Sequence, residues 1–165
     1  MYSESGSVVR VALINHVNNS ALLSIEEMIL NTMAKINIAA AVITDRQGRC
    51  LLVRKRGTLY FMQPGGKLEA GERPEAALVR ELQEELNFTV TEDELVAVGR
   101  FTDMAANEPN HRVCADIFRI TTDRTHFEPG AEIGQVIWFE PQQYPDVKLA
   151  PLTQNHLLPL LQQGA

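Results

Sequence analysis

No apolar run in the sequence approaches the roughly 18 residues that a helix needs to cross a bilayer, so no membrane partner is expected. The first residues lack the basic-then-apolar order of a secretion signal, which makes a cytoplasmic protein the expectation. Cysteine is scarce. Cys50 and Cys114 have no metal-ligand spacing and lie in strand-like runs, so plain core packing in a reducing compartment is expected of both. Positive charge is scarce as well: no basic cluster is longer than Arg54-Lys55-Arg56, and the formal net charge is −6. A nucleic-acid backbone is neutralised by many Lys and Arg, so nucleic acid is not expected as a partner. There is no internal repeat and no low-complexity segment. What remains is a 165-residue chain with 45% apolar residues, enough for one domain with its own core.

The stretch Gly66 to Phe88, GKLEAGERPEAALVRELQEELNF, concentrates the chemistry. Pro74 suits a first helical position, Glu75 suits the first turn, and Asn87 suits a left-handed stop. With Glu81 at zero on the helical wheel, Glu85 falls near +40° and Glu84 near −60°, at about 100° per residue. Leu78, Val79, Leu82 and Leu86 fill the adjoining sector, which can face a core. Three acids on one side allow two readings. One is a solvated helix face, with the repulsion partly offset by Arg80. The other is a site for a hard divalent cation that takes oxygen ligands and shares them with substrate phosphates. The Pro64-Gly65-Gly66 bend ahead of the helix makes the whole a loop-helix unit.

The spacing Gly66, five residues, Glu72, seven residues, Arg80-Glu81-Leu82-Gln83-Glu84-Glu85, then Phe88 resembles the Nudix box, with Asn87 where the family has glycine. Gln63-Pro64-Gly65-Gly66-Lys67 resembles the entry of the MutT-like branch. The resemblance implies an α/β fold, a Nudix-type α/β/α sandwich with a mixed β-sheet. It implies a hydrolase of phosphoric anhydride bonds acting on a small-molecule nucleotide, a nucleoside diphosphate linked to another group. Within that class the MutT-like branch points to (d)NTPs, oxidised ones included. ADP-ribose or a nucleotide sugar is the alternative substrate, and a non-catalytic nucleotide-binding module the alternative class. The implied metal is Mg²⁺, with Mn²⁺ as a substitute, held by Gly66, Glu81, Glu84 and Glu85. Arg80 would orient Glu81, and Glu72 would support the acids through Arg80. Glu84 is the first choice for general base, with Glu128 or Glu132 behind it.

Outside the box, residues 1–34 read as an appended arm and a candidate homodimer contact, and residues 35–165 as the domain. Within the arm a strand is expected at 7–14 and a helix from Ser24 to about Met33, opened by a capping box. Ile36–Thr44 reads as a strand buried on both faces, followed by a hairpin turn at Asp45–Gly48 and a return strand, Cys50–Arg54. Alternation puts Arg54 and Arg56 on one side of the chain and Lys55 on the other. Arg54, Arg56 and Lys67 are phosphate-binding candidates or plain surface charges. Later strands are expected at Leu95–Phe101, Arg112–Ile120 and Gln135–Glu140, with loops over residues 102–110 and 121–134 and a last helix over Leu152–Leu161. Asp116 is expected as a paired structural acid. His16, His111 and His156 need no role beyond packing or surface.

Overall fold

A computed structural model describes residues 19–163. The strand expected at 7–14 and His16 lie outside the described residues. The chain divides between Met33 and Ala34 into two units. The first contributes helix α1, Asn19–Thr32. It begins five residues before Ser24, so the Ser-Ile-Glu-Glu pattern lies inside the helix and does not open it. Ile25, Met28 and Ile29 are exposed there at i, i+3 and i+4, one apolar stripe.

The second unit is built on β1, Ala34–Thr44. Its apolar run fills two cores at once. Ala39, Ala41 and Ile43 face one cluster, with Leu51, Leu78 and Leu82. Ala40 and Val42 face the other, with Leu52, Ile117 and Leu157. This is the two-sided burial expected of a covered central strand. At the end of β1, Asp45 organises the turn: its Oδ1 accepts the N–H groups of Gln47 and Arg49, each at 2.9 Å. The chain returns as β2, Cys50–Lys55, and continues through β3, Tyr60–Met62, and β4, Gly65–Lys67. After helix α2, Pro74–Leu86, come β5, Val96–Met104, β6, His111–Thr121, β7, Ile133–Phe139, and β8, Lys148–Leu149.

β1 runs parallel to β6 from Ala34↔His111 to Thr44↔Thr121 and antiparallel to β4 at Ala39↔Gly66. β1 and β2 pair only at Thr44↔Cys50. β2 instead carries β7 along its length and β3 on its other edge. The sheet is therefore mixed, with a helix over each face. α2, Pro74–Leu86, covers one; the other is covered by a π-type turn, Thr153–Leu157, continuing into α3, Leu158–Gln162. No described helix is long and apolar enough to cross a membrane.

α2 begins with Pro74 in the first turn and stops at Asn87, whose φ of 48° and ψ of 38° are left-handed. The Asn87 N–H donates to Gln83 O at 3.1 Å and the Phe88 N–H to Leu82 O at 3.2 Å, closing the last carbonyls. Asparagine thus makes the left-handed stop at the position where the resemblance has glycine. Two strand boundaries depart most from expectation. β5 extends to Met104 because Thr102, Asp103 and Met104 pair with Cys114, Val113 and Arg112, which shortens the following loop to Ala105–Asn110. β7 starts at Ile133, which is buried and pairs with Lys55 across a bulge. Asp116 is paired with Arg100 at 3.1 Å, as expected. Cys50 is a free, buried core thiol, and Cys114 is free and half-buried.

Leu82 is fully buried beneath α2. Leu82→Ala is expected to destabilise the domain by about 2–5 kcal/mol, read as a lower urea midpoint at unchanged slope.

Candidate active site

The helix that buries Leu78, Leu82 and Leu86 turns Glu81, Glu84 and Glu85 to different degrees of exposure. Glu84 is exposed, Glu81 half-buried, and Glu85 buried at 4%. The wheel explains the order: Glu85 lies next to the apolar sector and is drawn under it. Its Oε2 accepts the Gly65 N–H at 3.2 Å, tying the helix to β4. Burial pushes the Glu85 carboxyl up to about 8, partly opposed by that N–H and by the charge of Lys55, and reinforced by Glu81 and Glu132.

Arg80 holds the loop against the helix. Its Nε and Nη2 donate to the two oxygens of Glu72 at 3.0 and 2.8 Å, and its Nη1 donates to Glu81 Oε1 at 2.9 Å. Nη2 also donates to the Lys67 carbonyl at 3.1 Å. The guanidinium holds the Glu72 carboxyl down to about 2. Glu84 Oε2 is 3.6 Å from Nη1. Gly66 faces this cluster: a Cβ built on it would lie 2.4 Å from the Glu81 Cδ, so the carboxylate fits only because residue 66 has no side chain.

The loop between β6 and β7 is fastened to the same helix end. Gly130 N–H donates to Glu85 O at 2.8 Å, and Asn87 Nδ2 to Glu128 O at 2.9 Å. A Cβ on Gly130 would stand 2.0 Å from Glu84 O, so only glycine permits that approach. The loop acids separate. Glu132 acts on Glu85 through its charge, whereas the Glu128 carboxylate is exposed and bonded to His126 Nε2 at 2.9 Å. Trp138 half-closes this side, its Nε1 donating to Thr125 O at 3.1 Å. Its neighbour Phe139 enters the core on the opposite face.

The candidate phosphate cations are not gathered on the triad. Arg54 donates to Thr58 O at 2.9 Å and lies over the Phe61 ring, on the α3 side. Arg56 is exposed, its N–H donating to Glu132 O at 2.9 Å. Lys67 pairs with Glu108 at 2.8 Å. The cation nearest in effect to Glu85 is Lys55, which the sequence reading left without a role. The signal was available: Leu51, Val53 and Lys55 share the strand face that packs under α2. Gln63 was also missed. It is buried, its Oε1 accepts the Thr153 hydroxyl at 2.6 Å, and it fixes the chain just ahead of the Pro64-Gly65-Gly66 bend.

Among the described residues no three acidic, histidine or cysteine side chains already form a cation cage. Two observations nonetheless fit a divalent ion. A carboxylate buried beside two other acids carries a pKa near 8 that a cation would relieve. The donor set is all oxygen, as Mg²⁺ requires, and the glycine cradle gives Glu81 room beside the Gly66 backbone.

The NUDIX domain family matches residues 34–161. An "8-oxo-dGTP diphosphatase" of Proteus vulgaris is 35% identical over 92 residues, which are 53% of this chain and 77% of that protein. The protein of the same name from Escherichia coli K12 is 39% identical over 61 residues, 34% of this chain and 47% of its own length. Among solved structures, the MutT protein from Methanosarcina mazei Go1 superposes with a TM-score of 0.63 at 17% identity, covering 79% of this chain and 95% of that one. The Escherichia coli ORF135 protein superposes at 0.56 with 26% identity, covering 81% and 90%.

Two outcomes test the site without an activity assay. Gly66→Ala is expected to leave the metal-free melting temperature within a few degrees, since only the flexible end of Glu81 must move. Mg²⁺ is expected to raise the melting temperature of the parent protein but not that of Gly66→Ala. In metal-free protein Glu85 has a raised folded pKa, so its stabilising contribution is present below about 4.5 and is lost as pH rises towards about 8. Glu85→Gln should therefore melt close to the parent at low pH and above it at pH 8, as followed by circular dichroism.

Proposed function

The chain belongs to the Nudix family, and from that premise we propose that it is a MutT-like, Mg²⁺-dependent pyrophosphohydrolase of (d)NTPs, oxidised ones included. The observation that carries this is the Arg80-held Glu81 against the Gly66 backbone, one helical turn from buried Glu85. The names of the curated relatives support the triphosphate class.

Gly66, Glu81, Glu84 and Glu85 would hold the metal, Mg²⁺ or in its place Mn²⁺. The bound ion supplies neutralisation of the diphosphate oxygens and a lowered pKa for water. The protein's own groups do the rest. Arg80, locked by Glu72, keeps Glu81 turned towards Gly66 and mutes repulsion among the acids. Glu84 is the exposed member of the triad, free to accept the proton of the attacking water on a carboxylate oxygen. Water adds to phosphorus, the bridging P–O bond breaks, and nucleoside monophosphate and pyrophosphate leave. Lys67, Arg54 and Arg56 are the proposed contacts for the outer phosphates; Lys67 would first leave Glu108, and Arg54 the carbonyl of Thr58. Lys55 offsets charge at Glu85 from beneath. In the β6–β7 loop, Glu132 acts on Glu85 through its charge and is the stronger candidate to share in proton transfer; Glu128 would first have to leave His126.

A panel of nucleotides with Mg²⁺, read by pyrophosphate and nucleoside monophosphate release, tests the reading. Triphosphates should be cleaved, EDTA should abolish cleavage, and Glu84→Gln and Glu85→Gln should each lose several orders of magnitude in kcat with the fold intact. Both variants within tenfold of the parent would remove the metal assignment.

A further inference from the structure

The hairpin joining β5 to β6 is closed on itself. Ala105 N–H donates to His111 O at 2.9 Å, His111 N–H donates to Glu108 O at 3.3 Å, and the His111 ring Nδ1 lies 2.8 Å from Pro109 O. Asn110, with φ of 62°, completes the turn in a left-handed conformation. The hairpin thus offers Glu108 from a fixed stem, and its Oε1 stands 2.8 Å from the Lys67 ammonium. Lys67 follows Gly66 directly, and its carbonyl is already gripped by Arg80 at 3.1 Å, so the backbone beneath this cation belongs to the acid site. Both partners line a cavity of about 630 Å³ that also touches Ile36, Glu72 and His111. A volume of several hundred cubic ångströms is the size that takes a small-molecule ligand.

A cation on the wall of such a cavity, beside a proposed diphosphate site, is held by an anion from a distant hairpin. We propose that Glu108 is a specificity-determining residue, an intramolecular stand-in for phosphate that occupies Lys67 and yields it to a ligand carrying several phosphates. The inference rests on the reading of the chain as a nucleotide hydrolase in which Lys67 contacts the phosphates. The pair is suited to exchange: its side chains are 62% and 41% exposed, and such pairs contribute little and break readily. A polyphosphate brings several negative charges against the single charge of Glu108. Hydrolysis releases the outer phosphates as pyrophosphate, and Glu108 then re-pairs with Lys67 and favours the departure of that product. The same contact raises the concentration of substrate needed for half-saturation.

Steady-state hydrolysis of the best nucleoside triphosphate by the parent, Glu108→Gln, Lys67→Met and the double variant tests this. Glu108→Gln is isosteric at a half-exposed position and keeps the hairpin. It should lower KM about two- to fivefold, the range an exposed ion pair commands, with kcat within twofold. It should also lower the inhibition constant of the pyrophosphate product by a similar factor. In the Lys67→Met background the Glu108→Gln effect should vanish. An unchanged or raised KM overturns the proposal, since a purely structural Glu108 would give one of those results, and so does an effect that persists without Lys67. Absence of triphosphate cleavage by the parent protein is a different failure, that of the hydrolase reading, and takes this proposal with it.

Discussion

The arrangement of acids depends on one guanidinium. Arg80 spreads its donors over Glu72 in the loop, Glu81 on its own helix and the carbonyl of Lys67 at the end of β4. A lysine at this position would present a point charge and could not span those directions; the planar fork can. Without it, Glu81 would stand one turn from Glu85 with nothing to set its rotamer, and the loop from Leu68 to Arg73 would lose its attachment to the helix. The ion pairs lie at the edge of solvent, so their worth to overall stability is small. Their effect is local: they fix where a carboxylate points.

Burial works against that order and gives it purpose. Glu85 is under the apolar sector of α2, where a negative charge is costly, yet it is flanked by Glu81 and Glu132. A fold selected for stability alone would put a neutral side chain there. An ionisable carboxyl is instead held beside the Gly65–Gly66 bend, with Lys55 favouring its charged form from the strand below. This is the situation in which a cation binds strongly, because the protein has already met the cost of bringing the acids together.

Much of this was legible from residue order. The two-sided apolar run of β1, the proline start and asparagine stop of α2, and the sector of leucines beside three glutamates each follow from a period or a backbone preference. What escaped had a physical reason. The Ser24 pattern has the composition of a helix start, but a helix can run through it when the preceding residues continue the turn. Thr102–Asp103–Met104 looked like loop because an edge strand needs apolar residues on only one face, and pairing with β6 decided the matter. Lys55 was passed over for its two arginine neighbours, although strand parity alone puts it on the face of Leu51 and Val53. The division of labour between Glu128 and Glu132 could not be read at all, since it depends on where Gly130 meets the end of α2.

Trp138 is the single tryptophan of the chain. Its indole N–H is bonded to Thr125 in the loop that carries Glu132, its ring stacks at an angle on Phe127, and the Arg49 guanidinium lies 5.7 Å over its face. Indole emission is sensitive to the hydrogen bond at its nitrogen and to nearby charge. The protein therefore contains one indole, attached to the segment that abuts the acidic helix, and its emission can be excited apart from that of the three tyrosines. Rearrangement of that segment could be followed by ultraviolet light in unlabelled material, in real time.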